Sequence, residues 1–246
     1  MVSKHYGKSI KLLERLKVSK TLYIYGCSGI GKSIVDSVSR LGEIYTEQVF
    51  VDDDETKQAQ SFYGCRVVSF KTLELQANAF DDIILAYFKP SDIFTRDLRA
   101  NELRKSVKAK FVTIIDSSAA VSPSALIGEG VYIAPKAVVD SDAKVGDHCV
   151  ILFNSVVSRE VLLANSTFLS AGVVVKGSVE IHMSSFLSAN VVVTKNISAH
   201  VFINAGVCVT DEVGENCVIS ANGQVATVHL GQNTKRAVKK LRFFHP

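Results

Sequence analysis

From Val121 onward an aliphatic residue recurs at every sixth position: Val121, Ile127, Ile133, Val139, Val145, Ile151, Val157, Leu163, Leu169, Val175, Ile181, Leu187 and Val193. The frame then slips by four, resumes at Ile197, Ile203 and Val209, slips by four again and continues at Val213, Ile219 and Val225. Two places before the aliphatic position the residue is commonly small or β-branched, as at Ala125, Ala137, Ala143, Cys149, Ser155, Thr167 and Ser185. A period of six fits neither an amphipathic helix nor sandwich strands spaced by long turns. It is the hexapeptide period of a parallel β-helix, in which three short strands make one triangular coil and the aliphatic side chain points inward. Residues 121–230 would supply about six coils, with the slips read as corners or loops between them. A solenoid used only as scaffold is the bland alternative.

The first half has a different pattern. Residues 21–25, Thr-Leu-Tyr-Ile-Tyr, read as a buried strand, followed by the glycine-rich stretch Gly26–Ser33 and a helical spacing through Ile34, Val38 and Leu41. A second strand at 49–51 ends in Asp52-Asp53-Asp54, and two more are expected at 83–87 and 111–115 with a helix between them. This alternation predicts a small Rossmann-like α/β unit, with its ligand at the carboxyl ends of the strands. The chain then divides into a basic N-terminal helical extension (1–20), the Rossmann-like domain (21–116), the β-helix (117–230) and a basic C-terminal tail (231–246).

Charge changes this picture only once it is resolved along the chain. The net +4 arises from a segment of +5 at residues 1–20 and another at 235–246, which leaves residues 21–234 at −6. An acidic body gives no argument for nucleic acid, and any anionic ligand must be held by local donors. Residues 121–230 hold only 14 charged side chains, so much of the β-helix surface is expected to be covered by partner subunits. Five scattered cysteines without a C-x-x-C pair suggest neither a zinc site nor redox work and fit a reducing, cytoplasmic setting. No stretch has the apolar length to cross a bilayer, and the N-terminus has no signal-peptide core.

Gly26–Ser33 also satisfies the P-loop pattern G-x-x-x-x-G-K-[ST], so an NTPase is one reading. Asp53 would then imitate a magnesium ligand, but no water-positioning residue announces itself and little sheet remains before Val121. A tight turn with glycines for backbone reasons alone is a second reading. The preferred reading is a turn and helix N-terminus that cradle the phosphates of a nucleotide, with Gly26, Ser28, Gly29, Gly31 and Lys32 as contacts. Asp52 or Asp53 would hydrogen-bond the sugar or base.

A glycine-loop α/β unit, a strand ending in Asp-Asp, and hexapeptide repeats opened by Asp116-Ser-Ser-Ala-Ala-Val-Ser-Pro-Ser-Ala-Leu-Ile-Gly together resemble a bacterial family. It is that of the left-handed β-helix acyltransferases acting on amino sugars in surface-glycan synthesis. The nearest members are the nucleotide-sugar N-acetyltransferases of the bacillosamine and perosamine pathways and the sialic acid O-acetyltransferases. The resemblance covers about residues 20–225. It implies a nucleotide-linked amino sugar in the N-terminal unit, acetyl-CoA in the groove between the β-helices of a homotrimer, and no metal. It also puts Ser170-Ala171-Gly172 and Ser188-Ala189-Asn190 beside the pantetheine arm.

The sequence departs from the family at the base. Where the family has a histidine followed by an acid, the hexad frame gives Arg159 followed by Glu160, and a second family histidine falls on Phe168. A guanidinium stays protonated and only donates, so Arg159 does not take a proton from an amine. It is suited to anchoring an anion or donating to a thioester oxyanion, or it simply pairs with Glu160. His148 and His182 fall on one face of the prism and Arg159 on another, leaving a replacement from a neighbouring subunit open. His200 and His229 read as surface or turn residues.

Three functions follow: a transferase working without the usual histidine, a silent or acceptor-changed trimeric binding or scaffold protein, and a P-loop NTPase. The tails read either as contacts with an anionic membrane surface or, for 234–246, as a helix capping the β-helix.

Overall fold

The run Thr21–Tyr25 lacks polar alternation because both its faces are covered: it forms β1, buried at all five positions. The computed structural model describes residues 20–87, 95–221, 223 and 225–227. The two tails expected as separate elements, 1–20 but for Lys20 and 231–246, lie outside these residues, as does His229. β1 is the middle strand of a parallel sheet with β2 (Glu47–Val51), β3 (Val67–Val68), β4 (Asp82–Leu85) and β5 (Lys110–Phe111), in the order β3-β2-β1-β4-β5. The helices are α1 (Gly29–Leu41), α2 (Glu55–Gln58), α3 (Phe70–Gln76) and α4 (Arg96–Ser106). Asp54 and Ser69 cap α2 and α3 by accepting from Thr56 N and Thr72 N, so each short helix starts at an oxygen-bearing side chain.

Two strand expectations are corrected. The strand expected at 83–87 ends at Leu85, where the carbonyls of Ala86 and Tyr87 turn to accept from Ser28 Oγ at 2.7 Å and Arg96 Nη1 at 2.8 Å. The strand expected at 111–115 is two strands. β5 ends at Phe111, and β6 (Ile114–Ile115) pairs with Tyr132–Ile133 in the β-helix. Between them Thr113 Oγ1 donates to Gly128 O at 2.7 Å and accepts from Val131 N at 3.2 Å, drawing the chain out of the α/β sheet.

The hexapeptide region is a left-handed parallel β-helix of two-residue strands on three faces. The first face stacks strands at 114–115, 132–133, 150–151, 168–169, 186–187 and 202–203. The second stacks 120–121, 138–139, 156–157, 174–175, 192–193 and 208–209, and the third 126–127, 144–145, 162–163 and 180–181. Register partners are 18 residues apart, as Val138↔Val156 and Leu162↔Glu180, until the first slip, after which Phe186 pairs with Phe202. Each four-residue slip shortens the third face to a single bridge, at Ile197 and then Val213. The last expected repeat position, Val225, instead belongs to Val225–Thr227, which turns back antiparallel to Cys217–Ile219.

The hexad aliphatics and the positions two before them fill one core. Polar members of that inner set are satisfied by backbone: Ser155 Oγ donates to Ser170 O at 2.8 Å and Thr167 Oγ1 to Ala164 O at 2.7 Å. Corners carry a left-handed residue, glycine at 130 and 172 and side chains at His148, Asn154, Glu160, Ser166 and Asn190. At Gly172 the exception has a steric reason, because a Cβ there would overlap the Asn190 amide folded over it from the next coil.

Outward side chains decide which face is covered. On the first face Ile114, Tyr132, Val150, Phe168 and Phe186 are buried in one cluster with Leu22, Ile24, Ile34 and Phe50 of the α/β unit. Tyr132 Oη and Ser37 Oγ lie 3.0 Å apart in that junction. The second face carries outward Val138, Val156, Val174 and Val192, of which Val174 and Val192 are 37% exposed. No helix among the described residues is long and apolar enough to cross a membrane.

Candidate functional site

In a sheet ordered β3-β2-β1-β4-β5 the chain builds outward from β1 through β2 to β3 and then crosses back to β4 on the other side of β1, which opens a crevice at the carboxyl ends of these strands. A cleft of about 290 Å³ lies there. The end of β1 supplies Tyr25, Gly26, Cys27 and Ser28, the end of β2 supplies Asp52 and Asp53, and Lys57, Tyr87 and Arg99 close it. Four of the expected contacts, Gly26, Ser28, Asp52 and Asp53, thus meet in one cavity. Gly29, Gly31 and Lys32 are not among its lining residues.

The turn is shaped by close contact as much as by ligand. Gly26 has φ +111°, and a Cβ on it would stand 3.0 Å from the Tyr87 backbone. Its N–H donates to Val51 O at 2.8 Å, and that of Cys27 to Asp52 Oδ2 at 3.2 Å. Ser28 caps α1, its Oγ accepting from Gly31 N at 3.1 Å and donating to Ala86 O. Gly31 is buried under Phe50, whose ring a Cβ would strike.

These contacts weigh against the P-loop reading. The first two amides of the turn are bonded within the protein, so they do not form a phosphate cradle. The Lys32 ammonium stands 5.0 Å from the Phe62 ring centre and 5.6 Å from that of Tyr63, away from the cleft.

Burial raises the Asp52 carboxyl, but the hydrogen bonds from Lys57, Asp54 N and Cys27 N outweigh it and hold the group below its ordinary range. Lys57 Nζ is 2.7 Å from Asp52 Oδ2. Burial and the Asp52 charge push the Cys27 thiol up to about 11, so it stays protonated and is no nucleophile. Asp53 Oδ1 accepts from Phe70 N at 2.8 Å, and no described residue bonds its second oxygen. Asp53 is thus the acid with an acceptor left for a ligand hydroxyl or N–H. Lys57, Tyr87 and Arg99 were not legible as site residues in the sequence; only the spacing Asp54-x-x-Lys57 on a capped turn hints at the first.

On the β-helix, Ser170-Ala171-Gly172 and Ser188-Ala189-Asn190 stack at the corner between the first and second faces, joined by Asn190 N to Ala171 O at 2.9 Å. Arg159 and Glu160 lie at the corner between the second and third faces, both exposed. Glu160 accepts from Ser178 Oγ at 2.7 Å. The expected Arg159–Glu160 pair does not form, nor does Arg159 pair with another described acid. The two sets of residues therefore flank the second face and do not meet within one subunit.

The histidines take other roles. His148 is 4% exposed in the domain junction, its ring 4.4 Å from that of Phe111 and its Nε2 3.3 Å from Arg104 Nη2. Arginine only donates, so Nε2 accepts and the neutral ring carries its proton on Nδ1. That Nδ1 has no partner among the described residues. Burial, with the Arg96 and Arg104 charges, lowers its pKa to about 4. Enclosed by its own subunit, His148 cannot serve a neighbour as base. His182 is half exposed, 3.7 Å from Glu180, at the corner between the third and first faces. Among the described residues no cluster of His, Cys, Asp or Glu forms a metal site.

The family description "PglD N-terminal domain" matches residues 21–86, and "bacterial transferase hexapeptide (six repeats)" matches 113–159. The chain carries a PglD N-terminal domain and a hexapeptide repeat. Both matches agree with the resemblance seen in the sequence. The acetyltransferase domain of PglB from Neisseria gonorrhoeae, in complex with acetyl coenzyme A, is 24% identical over 85% of this chain and 98% of its own, with a TM-score of 0.75. PerB from Caulobacter crescentus, in complex with CoA and GDP-perosamine, is 22% identical over 84% of this chain and 97% of its own, at 0.72. WeeI from Acinetobacter baumannii is 17% identical over 84% and 100%, at 0.76. These likenesses are of fold. Comparison with curated proteins gives no match.

Proposed function

We propose that this protein with a PglD N-terminal domain is an acyl-CoA-dependent transferase, acetyl-CoA being the donor, that acylates the amino group of a nucleotide-linked amino sugar in surface-glycan synthesis. The carrying observation is the cleft at the ends of β1 and β2, where Gly26, Ser28, Asp52 and Asp53 converge, in a chain whose second half is a hexapeptide β-helix. The ligands in the PglB and PerB structures, acetyl coenzyme A in one and CoA with GDP-perosamine in the other, support the same pair here.

The subunits associate as a homotrimer through the second face. Its valine stripe is unpartnered in one chain, and burial of such a stripe is favourable. Arg159 stands at one edge of that face and Ser170–Gly172 with Ser188–Asn190 at the other, so a head-to-tail contact sets one subunit's Arg159 near its neighbour's stacked corner. Acetyl-CoA lies in that groove. The amine nitrogen bonds the acyl carbon, the C–S bond breaks, the CoA thiolate leaves and the amine proton passes to water. Arg159 donates to the developing oxyanion, and positioning supplies the remainder. The amine must arrive neutral, so the rate rises with pH.

The absence of a described histidine beside Arg159 favours a second reading, a trimeric binding or scaffold protein without turnover. Thiol release from acetyl-CoA with a panel of UDP- and GDP-linked amino sugars separates the two: release supports transfer, and binding of both ligands without release supports the scaffold.

A further inference from the structure

Helix α4 is polar along most of its length, yet its first residue, Arg96, is 4% exposed. The Arg96 guanidinium spans two domains. Nη2 donates to Leu85 O at 3.0 Å and Nη1 to Tyr87 O at 2.8 Å, at the end of β4, while Nε donates to His148 O at 2.9 Å on a β-helix corner. Asp97 accepts from Ser166 Oγ and from Ser184 Oγ, the latter at 2.8 Å, on the next two coils of the same corner. One turn further along, Arg99 lines the cleft with its guanidinium carbon 5.5 Å from the centre of the Tyr25 ring.

The charges of the cleft single out Arg99. Lys57 is committed to Asp52, and the amides of Gly26 and Cys27 are bonded within the protein. The glycine turn therefore offers an anion fewer donors than its sequence suggests. Among the described residues Arg99 is engaged only by Glu102, an exposed pair on its own helix, and by the Tyr25 face. Such a pair is weak and readily exchanged for a charged ligand.

Resting on the reading of this cleft as a nucleotide-sugar site, we propose that Arg99 binds the diphosphate of the ligand and that Arg96 and Asp97 are positioning residues tying its helix to the β-helix. The strength of nucleotide binding in the α/β unit is then set partly by two serines of the acyltransferase domain. A guanidinium matches phosphate oxygens in charge and in its paired donors. A tether made by two consecutive residues at the start of the helix keeps it aimed at them.

The test is calorimetric titration of the full chain with UDP, GDP, uridine and guanosine, and separately with acetyl-CoA. Arg99→Ala weakens UDP or GDP about tenfold to a hundredfold and leaves the parent nucleoside nearly unchanged. Ser166→Ala/Ser184→Ala weakens the diphosphate severalfold in the otherwise wild-type chain and adds no further loss to Arg99→Ala, with acetyl-CoA affinity unchanged throughout. Asp97→Asn reads the same tether from the helix side if the serine variant does not fold. Unaltered UDP and GDP affinity in Arg99→Ala overturns the ligand role. A serine effect of equal size with and without Arg99 overturns the positioning role. A wild-type chain that binds neither diphosphate overturns the cleft reading itself, and this inference with it.

Discussion

The carboxylate of Asp116, fully buried, accepts from Arg40 at the end of α1, from Nη2 at 2.6 Å and Nε at 2.9 Å, and so joins the two domains. Its other oxygen accepts from Ser118 N and Oγ. Burial raises this carboxyl, but the bonds from Ser118, Ser37 and Arg40 prevail and bring it down to about 2. A carboxylate whose folded pKa is depressed contributes stability above its unfolded value, near 3.8, and loses it as pH falls through the folded value. The contribution is roughly 2 kcal/mol at neutral pH. Asp116→Asn should therefore lower urea-unfolding stability at pH 7 by about 1–3 kcal/mol, with the gap to wild type closing between pH 4 and pH 2. A gap constant across that window would remove the carboxylate from the account.

His148 gives a second stability window. A histidine held neutral by burial, with its pKa near 4, withdraws stability as pH falls from 6.5 toward 4, because the unfolded chain takes up the proton first. His148→Gln should flatten the stability curve over that window, measured by chemical denaturation at intervals of half a pH unit. An unchanged slope would contradict burial of the neutral ring.

The packing of the same ring predicts a contrast between two glycines. Gly130 has φ +64° and a Cβ there would overlap His148 Nδ1, whereas Gly206 has φ +74° and open space around it. Gly206→Ala should cost only the left-handed backbone penalty, about 1 kcal/mol. Gly130→Ala adds overpacking of a buried ring and should cost about 1–3 kcal/mol more. Thermal melts of the two variants give the comparison directly.

Much of the architecture was readable because its cause is local and repeated. A six-residue period has one structural solution, and a Gly-rich turn between a buried strand and an amphipathic helix has few. The departures have non-local causes. Thr113 ends β5 by bonding Gly128 and Val131, and Val225 turns back on Cys217–Ile219 although it keeps the hexad phase. The cleft was half legible: Gly26, Ser28, Asp52 and Asp53 sit on turns next to their strands, whereas Arg99 enters from a distant helix whose polar sequence resembles any solvated surface. Gly31 and Lys32 completed a motif in letters, but Phe50, Phe62 and Tyr63 determine where they sit.

Those placements predict opposite outcomes for two residues of the first domain. Lys32→Ala should leave UDP and GDP affinity within about twofold of wild type, since its ammonium lies over Phe62 and Tyr63. Asp53→Ala should weaken the nucleotide-sugar ligand about tenfold through loss of a charged acceptor. Magnesium-dependent ATP binding abolished by Lys32→Ala would support the NTPase reading instead.

The valine stripe makes the assembly testable as well. Val174→Glu/Val192→Glu places two carboxylates on the second face, and burying them across a contact is costly. Light scattering after size-exclusion chromatography should show a trimer for wild type and a monomer for this variant. A wild-type monomer would contradict assembly through this face.

Acyl transfer to a nucleotide-linked amine without a histidine base is read most directly by CoA thiol release with UDP- and GDP-amino sugars from about pH 6.5 to 9.5. Release is expected with at least one of these acceptors, at a rate that rises with pH until the amine is fully neutral. No release with any acceptor across the range, from a chain shown to bind both acetyl-CoA and the nucleotide, would contradict it.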